Sequence, residues 1–314
     1  MDLAPGRHPG LRLRHPVIVA AGGAGYGNEL LGSVGDSLPG AIITRGITRV
    51  GGRGAPVPRM VQLPEALLHD VGHPNPGLET VLRRHGPGWA AGEVPVIVNL
   101  RGADAEDIAA MARTLEMQPD AAGIELDLDG PDRRRRSEPI GLDVEASEVA
   151  TVAARAATDL PLIAKLSTAT PDIRAVARAV VAAGADAISI SGSTRALGLD
   201  ERRAGPQLGS SYGWISGPAT KPVGMRLVYE VAQVVKVPLI GAGGVHRLDD
   251  VLDYLAAGAS AVGLATAALA DPALPGRLSV ELAAWGDAEG VGDVRDLIGR
   301  ALPRRRDRGS LRVR

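Results

Sequence analysis

Two stretches of this chain repeat one another, and a repeat of that kind leaves few folds open. Residues 237–266 read VPLIGAGGVHRLDDVLDYLAAGASAVGLAT. Val237 to Ile240 is a short apolar run of the sort buried on both faces in parallel sheets. Gly241-Ala-Gly-Gly244 follows, and without side chains beyond Cα its backbone can approach a ligand closely. Leu248, Val251, Leu252 and Leu255 fall at i, i+3, i+4 and i+7 on one helical face, and Gly258 is placed to stop that helix. Residues 261–264 form the next apolar run, ending at Ala265-Thr266. Upstream, residues 160–165 lead to Thr170-Pro171, an expected N-cap with proline at the first helical position. Ile173, Val176, Ala177 and Val180 mark a second helical face, Gly184 ends it, and residues 187–190 are again a strand. LPLIAK…AAGADAISIS therefore echoes VPLIGA…AAGASAVGLA. Repeated strand–helix–strand units mean parallel strands joined by helical crossovers.

The pattern extends through most of the chain. Further apolar runs at 16–21, 41–45, 95–100 and 122–127 bring the expected strands between Val17 and Leu264 to eight. Eight such units in 314 residues predict an α/β fold, a single (β/α)8 barrel of the TIM type, over residues 1–302. Helices are expected near 105–117 and 144–157. Two more, near 275–284 and 291–302, are expected to close the bottom or lie on a flank. Residues 11–14 alternate apolar and basic, which predicts a short strand or hairpin outside the main core. Residues 46–77, rich in Gly, Pro and Arg, form a long loop after the second strand, and connections that long are usually functional. Residues 303–314 are a basic tail with no core-forming pattern, expected to be disordered.

Composition excludes several chemistries. Cysteine is absent, which removes disulfides, thiolate metal sites, iron–sulfur ligation and cysteine nucleophiles. The net charge of −1 gives no overall pull toward nucleic acid or anionic membrane. No run approaches the ~20 apolar residues of a membrane span and the N-terminus has no apolar signal core, so a cytoplasmic protein is expected. Phe is absent, leaving Ala, Val, Leu and Ile to fill the core.

Barrels of this kind work at the C-terminal ends of their strands. Those ends read Ala21-Gly22, Thr44-Arg45, Asn99, Asp127, Lys165, Ser191-Gly192, Gly243-Gly244 and Ala265-Thr266. Small residues with free N–H groups at the last two ends suit an anion, most often a phosphate. Lys165 is a lone ammonium at the end of an apolar run, and such a charge needs a partner. Either an acid on a neighbouring strand or an anionic cofactor would serve.

These residues, in this order, resemble the dihydroorotate dehydrogenase family of FMN-dependent barrels. The resemblance runs from His15 to Pro272. It is carried by His15-Pro-Val-Ile-Val19, Gly40-Ala-Ile-Ile-Thr44, Asn75-Pro-Gly77, Ile163-Ala-Lys-Leu-Ser167 and Gly184-Ala-Asp186. Further along, Ser216-Gly-Pro-Ala-Thr-Lys-Pro222, Arg226-Leu-Val-Tyr-Glu230, Ile240-Gly-Ala-Gly-Gly244 and Ala257-Gly-Ala-Ser-Ala-Val262 continue it. It implies that Gly243, Gly244, Ala265 and Thr266 hold the FMN phosphate and that Gly217 lies on the cofactor. It implies too that Lys165 contacts the flavin ring, where a cation stabilises charge on the reduced flavin. Ala21, Gly22, Thr44, Asn99, Asp127 and Ser191 complete the implied cofactor set, although Asn99 also reads as a satisfied polar core residue. The implied substrate set is Arg45, His69, Gly72, Asn75, Asp127, Asp132, Gly192 and Ser193. A soluble electron acceptor or partner flavoprotein and a homodimer are the partners implied; the membrane-anchoring extension of quinone-linked relatives has no counterpart here.

The substrate end departs from the family. Its members carry an Asn-Ile-Ser-Cys-Pro-Asn-like run after strand four, with Cys or Ser as the base; here the run is Asp127-Leu-Asp-Gly-Pro-Asp132. Gly130 stands at the base position and cannot take a proton. Asp127 and Asp132 replace two asparagines and would repel orotate, an anionic pyrimidine, unless protonated or paired. Asp129 and Asp132 are candidate replacement bases, and His69 or His73 on the long loop are others. Arg133 to Arg136 follow; they read as a solvated face, as neutralisers of the three acids, or as a lure for an acidic substrate. The expected activity is hydride transfer between flavin N5 and a dihydroorotate-like ring. An ene-reductase-like FMN enzyme, a flavin protein without turnover, and a flavin-free phosphate-binding barrel are the alternatives, and Lys165 with residues 216–222 argues against the last.

Overall fold

The computed structural model describes residues 1–118, 120–132 and 138–303, the side chains of Pro131 and Asp132 excepted. The expected disorder of residues 304–314 and the roles considered for Arg133 to Arg136 lie outside the described residues.

Eight parallel strands close into a barrel. In chain order they are β1 (Val17–Val19), β2 (Ile42–Ile43), β3 (Val96–Leu100), β4 (Gly123–Asp127), β5 (Leu162–Leu166), β6 (Ala187–Ile190), β7 (Leu239–Ala242) and β8 (Ala261–Leu264). Each pairs with its sequence neighbours, and β8 pairs with β1 to complete the ring. The strands are apolar on both faces, as strands covered on both sides must be. Alternation then divides them into two cores. Val17, Val19, Val96, Val98, Leu162, Ala164, Leu239 and Val262 pack outward against the helices. Ile18, Ile43, Ile97, Ile163, Ala187, Ile240 and Ala261 pack inward.

The inward core also contains Leu3, Leu11 and Leu13 from the N-terminus. Leu11 is 1% exposed, and the Leu3 N–H donates to the Leu11 carbonyl at 2.8 Å. The N-terminal hairpin therefore plugs the bottom of the barrel and belongs to the core; it was expected outside it. A basic residue at every second position lets one face enter the barrel while the other stays wet. The bottom is thus not closed by the C-terminal helices. Leu274–Glu289 lies against β1 on the flank, and residues 291–302 hold only a 3-10 turn at Val294–Leu297.

Two further expectations shift. The helix after β5 runs Ile173–Ala182 and is capped by Asp172, whose carboxylate accepts from the Arg174 and Ala175 N–H groups; Thr170 does not cap it. The long loop after β2 carries a hairpin, Met60–Leu63 and Ala66–His69. It forms a four-stranded antiparallel sheet with Thr194–Ala196 and Gly213–Ser216 from the connection after β6. This side sheet stands over one sector of the barrel mouth. Among the described residues no helix is long and apolar enough to cross a membrane.

If the hairpin is core, Leu11→Ala costs about 2–5 kcal/mol, as for other buried leucines. Thermal or urea denaturation checks this, and an unchanged midpoint would place the hairpin outside the cooperative unit.

Candidate active site

Above the apolar inward layer, the same alternation delivers polar groups. Two residues above Ile97 on β3 is Asn99; above Gly123 on β4 is Glu125; above Ile163 on β5 is Lys165; above Ala187 on β6 is Ser189. The parallel register sets Asn99 opposite Glu125 and Asp127 opposite Lys165. Asp127 and Arg101 stand one step higher, at the rim.

A dense ionic cluster results. Asp127, 2% exposed, receives Arg101 Nη1 at 3.1 Å and has Lys165 Nζ at 3.6 Å, both on its Oδ2. Its other oxygen accepts the Asp129 N–H at 3.0 Å. Burial alone would raise the Asp127 pKa, but Lys165, Arg101 and His73 hold it far below the usual carboxylate range. Burial pulls Lys165 down, and Asp127, Glu125 and Asp129 more than offset this, keeping the ammonium charged. Glu125 accepts Asn99 Nδ2 at 2.5 Å, and burial pushes its pKa upward against the pull of Lys165. The neighbouring-strand acid expected for Lys165 exists, and it is Asp127. The neutralisation of Asp127 comes from Arg101 and Lys165, so this carboxylate meets the condition under which it would tolerate an anionic ligand.

Buried polar atoms here lack partners. Asn99 is fully buried, its backbone N–H donates to Thr44 Oγ1 at 3.0 Å, and its Oδ1 has no hydrogen bond. Arg45 Nε is likewise buried without one. Arg45 stands at the end of β2, its N–H donating to the Gly25 carbonyl at 2.8 Å. Such atoms carry a desolvation cost of roughly 1–3 kcal/mol each until something satisfies them.

The opposite sector of the mouth is built of glycine. Gly243 and Gly244 leave β7 at φ +112° and +72°. A Cβ on Gly243 would lie 2.6 Å from the Gly192 nitrogen, and one on Gly244 would lie 2.7 Å from the Lys221 nitrogen. The Tyr254 hydroxyl contacts the Ala242 and Gly243 carbonyls, each at 2.9 Å, fixing one side of the turn. Lys221 Nζ bridges Asp250 at 2.5 Å and Asp253 at 2.7 Å and holds the other. Beside this cradle, the Thr266 hydroxyl donates to Ser216 Oγ at 2.8 Å, and a Cβ on Gly23 would lie 3.0 Å from Ala265 Cα. Gly217 follows Ser216 at φ +93°. Ala21, Gly22, Gly192, Gly217, Gly243, Gly244, Ala265 and Thr266 thus come from five separate segments to one rim.

The long-loop residues divide. His73, at φ +48°, lies against the cluster; burial, then Arg101, pushes its pKa down to about 4 despite Asp127. A Cβ on Gly46 would lie 3.2 Å from both His73 Nδ1 and Asn99 Oδ1, which places the three together. His69 sits in the side sheet, paired with Met60 and Trp214, and its pKa is lowered by burial against the pull of Asp70 alone. Asn75 devotes its amide to the loop: Oδ1 accepts the Gly77 N–H at 3.0 Å, and Nδ2 donates to Thr48 Oγ1 and the His73 carbonyl at 3.0 Å each. Gly72 lies in the same loop at φ +61°. The Asp132 backbone pairs with Glu138, and its side chain lies outside the description. Ser193 gives its carbonyl to the Thr168 hydroxyl at 2.5 Å. Arg101 and Glu125 were not read as site residues, although alternation from Asn99 and Asp127 points to both.

An eight-stranded α/β barrel with buried charged groups and a glycine turn at the C-terminal ends of its strands has the architecture of a barrel enzyme. The dihydroorotate dehydrogenase family profile matches residues 6–285. The chain is 36% identical over 290 residues to the dihydroorotate dehydrogenase B (NAD(+)) catalytic subunit of Geotalea uraniireducens, covering 92% of this chain and 95% of that one. It is 33% identical to the corresponding subunit of Geobacillus kaustophilus, covering 93% and 94%. Its fold is that of the Eimeria tenella DHODH solved with ferulenol, with a TM-score of 0.76 at 20% identity over 91% of this chain and 85% of the other. This protein belongs to the dihydroorotate dehydrogenase family.

Gly243→Ala forces a side chain into left-handed backbone against the Gly192 nitrogen. Strain of this kind costs on the order of 1–3 kcal/mol, so the variant should melt several degrees below the parent; an equal midpoint would mean that the cradle does not need glycine there.

Proposed function

We propose that the protein binds FMN across this rim and oxidises dihydroorotate or a close cyclic analogue. The observation that carries the reading is the pairing, in one mouth, of a glycine cradle that admits no side chain with a buried ammonium two strands away. Gly243, Gly244, Ala265 and Thr266 would take the phosphate, with Gly217 and Ser191 alongside. Thr44, Asn99, Ala21 and Gly22 would line the flavin, and the unpartnered Asn99 Oδ1 is an acceptor suited to an N–H. Bound there, FMN supplies the hydride acceptor.

The chain's own groups do the rest. Lys165, kept charged by Asp127, offers a fixed positive charge where negative charge develops during reduction. Arg45, with its free buried Nε, is a donor for the substrate's carboxylate. Gly192, Ser193, Gly72 and Asn75 shape the space around the ring, Asn75 through the loop it holds. His73 is neutral at pH 7 and can donate or accept without adding charge. His69, in the side sheet, borders the mouth. The relatives named above are catalytic subunits, which supports a partner subunit or other soluble electron acceptor; a homodimer and a cytoplasmic location go with the same reading.

Purified protein should be yellow with about one FMN per chain, and dihydroorotate added without oxygen should bleach it. Colourless protein that takes up no FMN contradicts the cofactor assignment, and flavin that stays oxidised contradicts the substrate. Lys165→Ala should slow bleaching by about 10²-fold, the usual effect of removing one preorganised charge; an unchanged rate would remove Lys165 from the site.

A further inference from the structure

Dehydrogenation beside a carbonyl needs a proton acceptor, and Gly130 offers none. It is not a Cβ that could simply be restored without contact: one there would lie 3.0 Å from the Gly102 carbonyl and 3.3 Å from Arg101 Cγ, so the Arg101 stem borders that space. Next to it stands Asp129. Its backbone is pinned at both ends, the N–H on Asp127 Oδ1 at 3.0 Å and the carbonyl receiving Arg101 Nη2 at 2.5 Å. Its carboxylate is half-buried at the end of β4 and lies near enough to the Ser167 hydroxyl, at the end of β5, for that group to favour its charged form. Ser167, 1% exposed, is fixed in turn by accepting the Ala169 N–H at 3.2 Å. Among the described residues no cation lies within ion-pair distance of Asp129, whereas Asp127 has two.

We propose that Asp129, steadied by Ser167 and placed by Arg101, is the general base of the reaction. The inference rests on the activity proposed above. The C–H proton on the carbon beside the ring carbonyl passes to an Asp129 oxygen. That bond's electron pair becomes the new C=C, and the hydrogen of the adjacent carbon would leave as hydride to FMN held at the rim. The resulting carboxylic acid returns its proton to solvent, to which Asp129 is partly exposed.

Division of labour between two acids two residues apart supports this. Asp127 is an ion locked by Arg101 and Lys165. Asp129 is pushed upward by burial and then by the Asp127 charge, with Ser167, Lys165 and Arg101 pulling the other way. Two carboxylates whose surroundings drive their acidities apart mark one as a fixed charge and the other as a proton carrier. The base works deprotonated, so activity should fall as pH drops through the Asp129 pKa, which burial and then the Asp127 charge push upward. Removing the Ser167 donor, which favours the charged form, should move that acid limb to higher pH.

Anaerobic rapid mixing of holoprotein with dihydroorotate across pH 5–9 tests the assignment, alongside FMN content and orotate affinity from the shift in flavin absorbance. Asp129→Asn should keep FMN and orotate binding and lose about 10²–10⁴ in reduction rate at every pH. Ser167→Ala should keep most of the maximal rate with its acid limb displaced upward. Asp129→Asn reduced at the parent rate with the parent limb overturns the proposal, and an unmoved limb in Ser167→Ala removes Ser167 from it. If Asp129→Asn loses FMN or orotate along with reduction, Asp129 is structural and the proposal also fails. Parent flavin left oxidised contradicts the activity itself, a separate result from any of these.

Discussion

The mouth of this barrel depends on one carboxylate. Asp127 sits almost wholly buried between Arg101 and Lys165, and its second oxygen anchors the turn that follows β4. Burying an ion is expensive, and what offsets the cost here is a second and third charge with a hydrogen bond on the remaining oxygen. The arrangement reaches in three directions. It keeps Lys165 protonated, it aims the Arg101 guanidinium at the Asp129 carbonyl, and it raises the proton affinity of the neighbouring Asp129 carboxylate. It also explains how a buried acid is tolerated at the end of β4: Asp127 comes with its own counter-charges, one of them an arginine whose stem borders Gly130.

The barrel makes this possible by layering. Leucines from the N-terminal hairpin and a ring of isoleucines and alanines form a dry floor. One step up each strand, Asn99, Glu125, Lys165 and Ser189 face the same interior. Polar groups in that position are tolerable only if they satisfy one another or a ligand, and most do so through the parallel register, which sets acid opposite base. Asn99 Oδ1 and, at the end of β2, Arg45 Nε are buried without a partner. Across the mouth the chain offers backbone instead of side chains, at Gly243 and Gly244.

Much of this was legible in the sequence, and the failures have physical reasons. Short unbroken apolar runs and the doubled AAGA unit point to the barrel, because parallel strands buried on both faces and joined by helical crossovers use both. Gly243, Gly244 and Lys165 stand out because a strand end with no side chain, or with a lone charge, is unusual. The Asp127–Lys165 contact was open as one of two alternatives, since choosing required the register between β4 and β5. Arg101 was missed because the third strand was read as ending at Leu100 with Asn99 as its rim residue, though alternation from Asn99 continues to residue 101. The side sheet was invisible because its halves lie at 60–69 and 194–216, and antiparallel pairing across such a distance leaves no local periodicity. Leu11 and Leu13 looked peripheral because their arginine neighbours share the same short run, yet the leucines face inward. The substrate end is least legible: Asp129 and Asp132 stood as equal candidates there, and only the fold ties the Asp129 backbone to Asp127 and Arg101, contacts that no spacing rule encodes.

A double-mutant cycle on Arg101 and Asp127 tests the central claim most directly. Urea denaturation of the parent, Arg101→Met, Asp127→Asn and the double variant yields the coupling between them. If the mouth is organised around this buried pair, each single change leaves an uncompensated group, and the double variant should be more stable than the sum of the singles predicts by about 1–3 kcal/mol. Additive effects would contradict the account, because they would mean that Asp127 and Arg101 stand side by side without depending on each other.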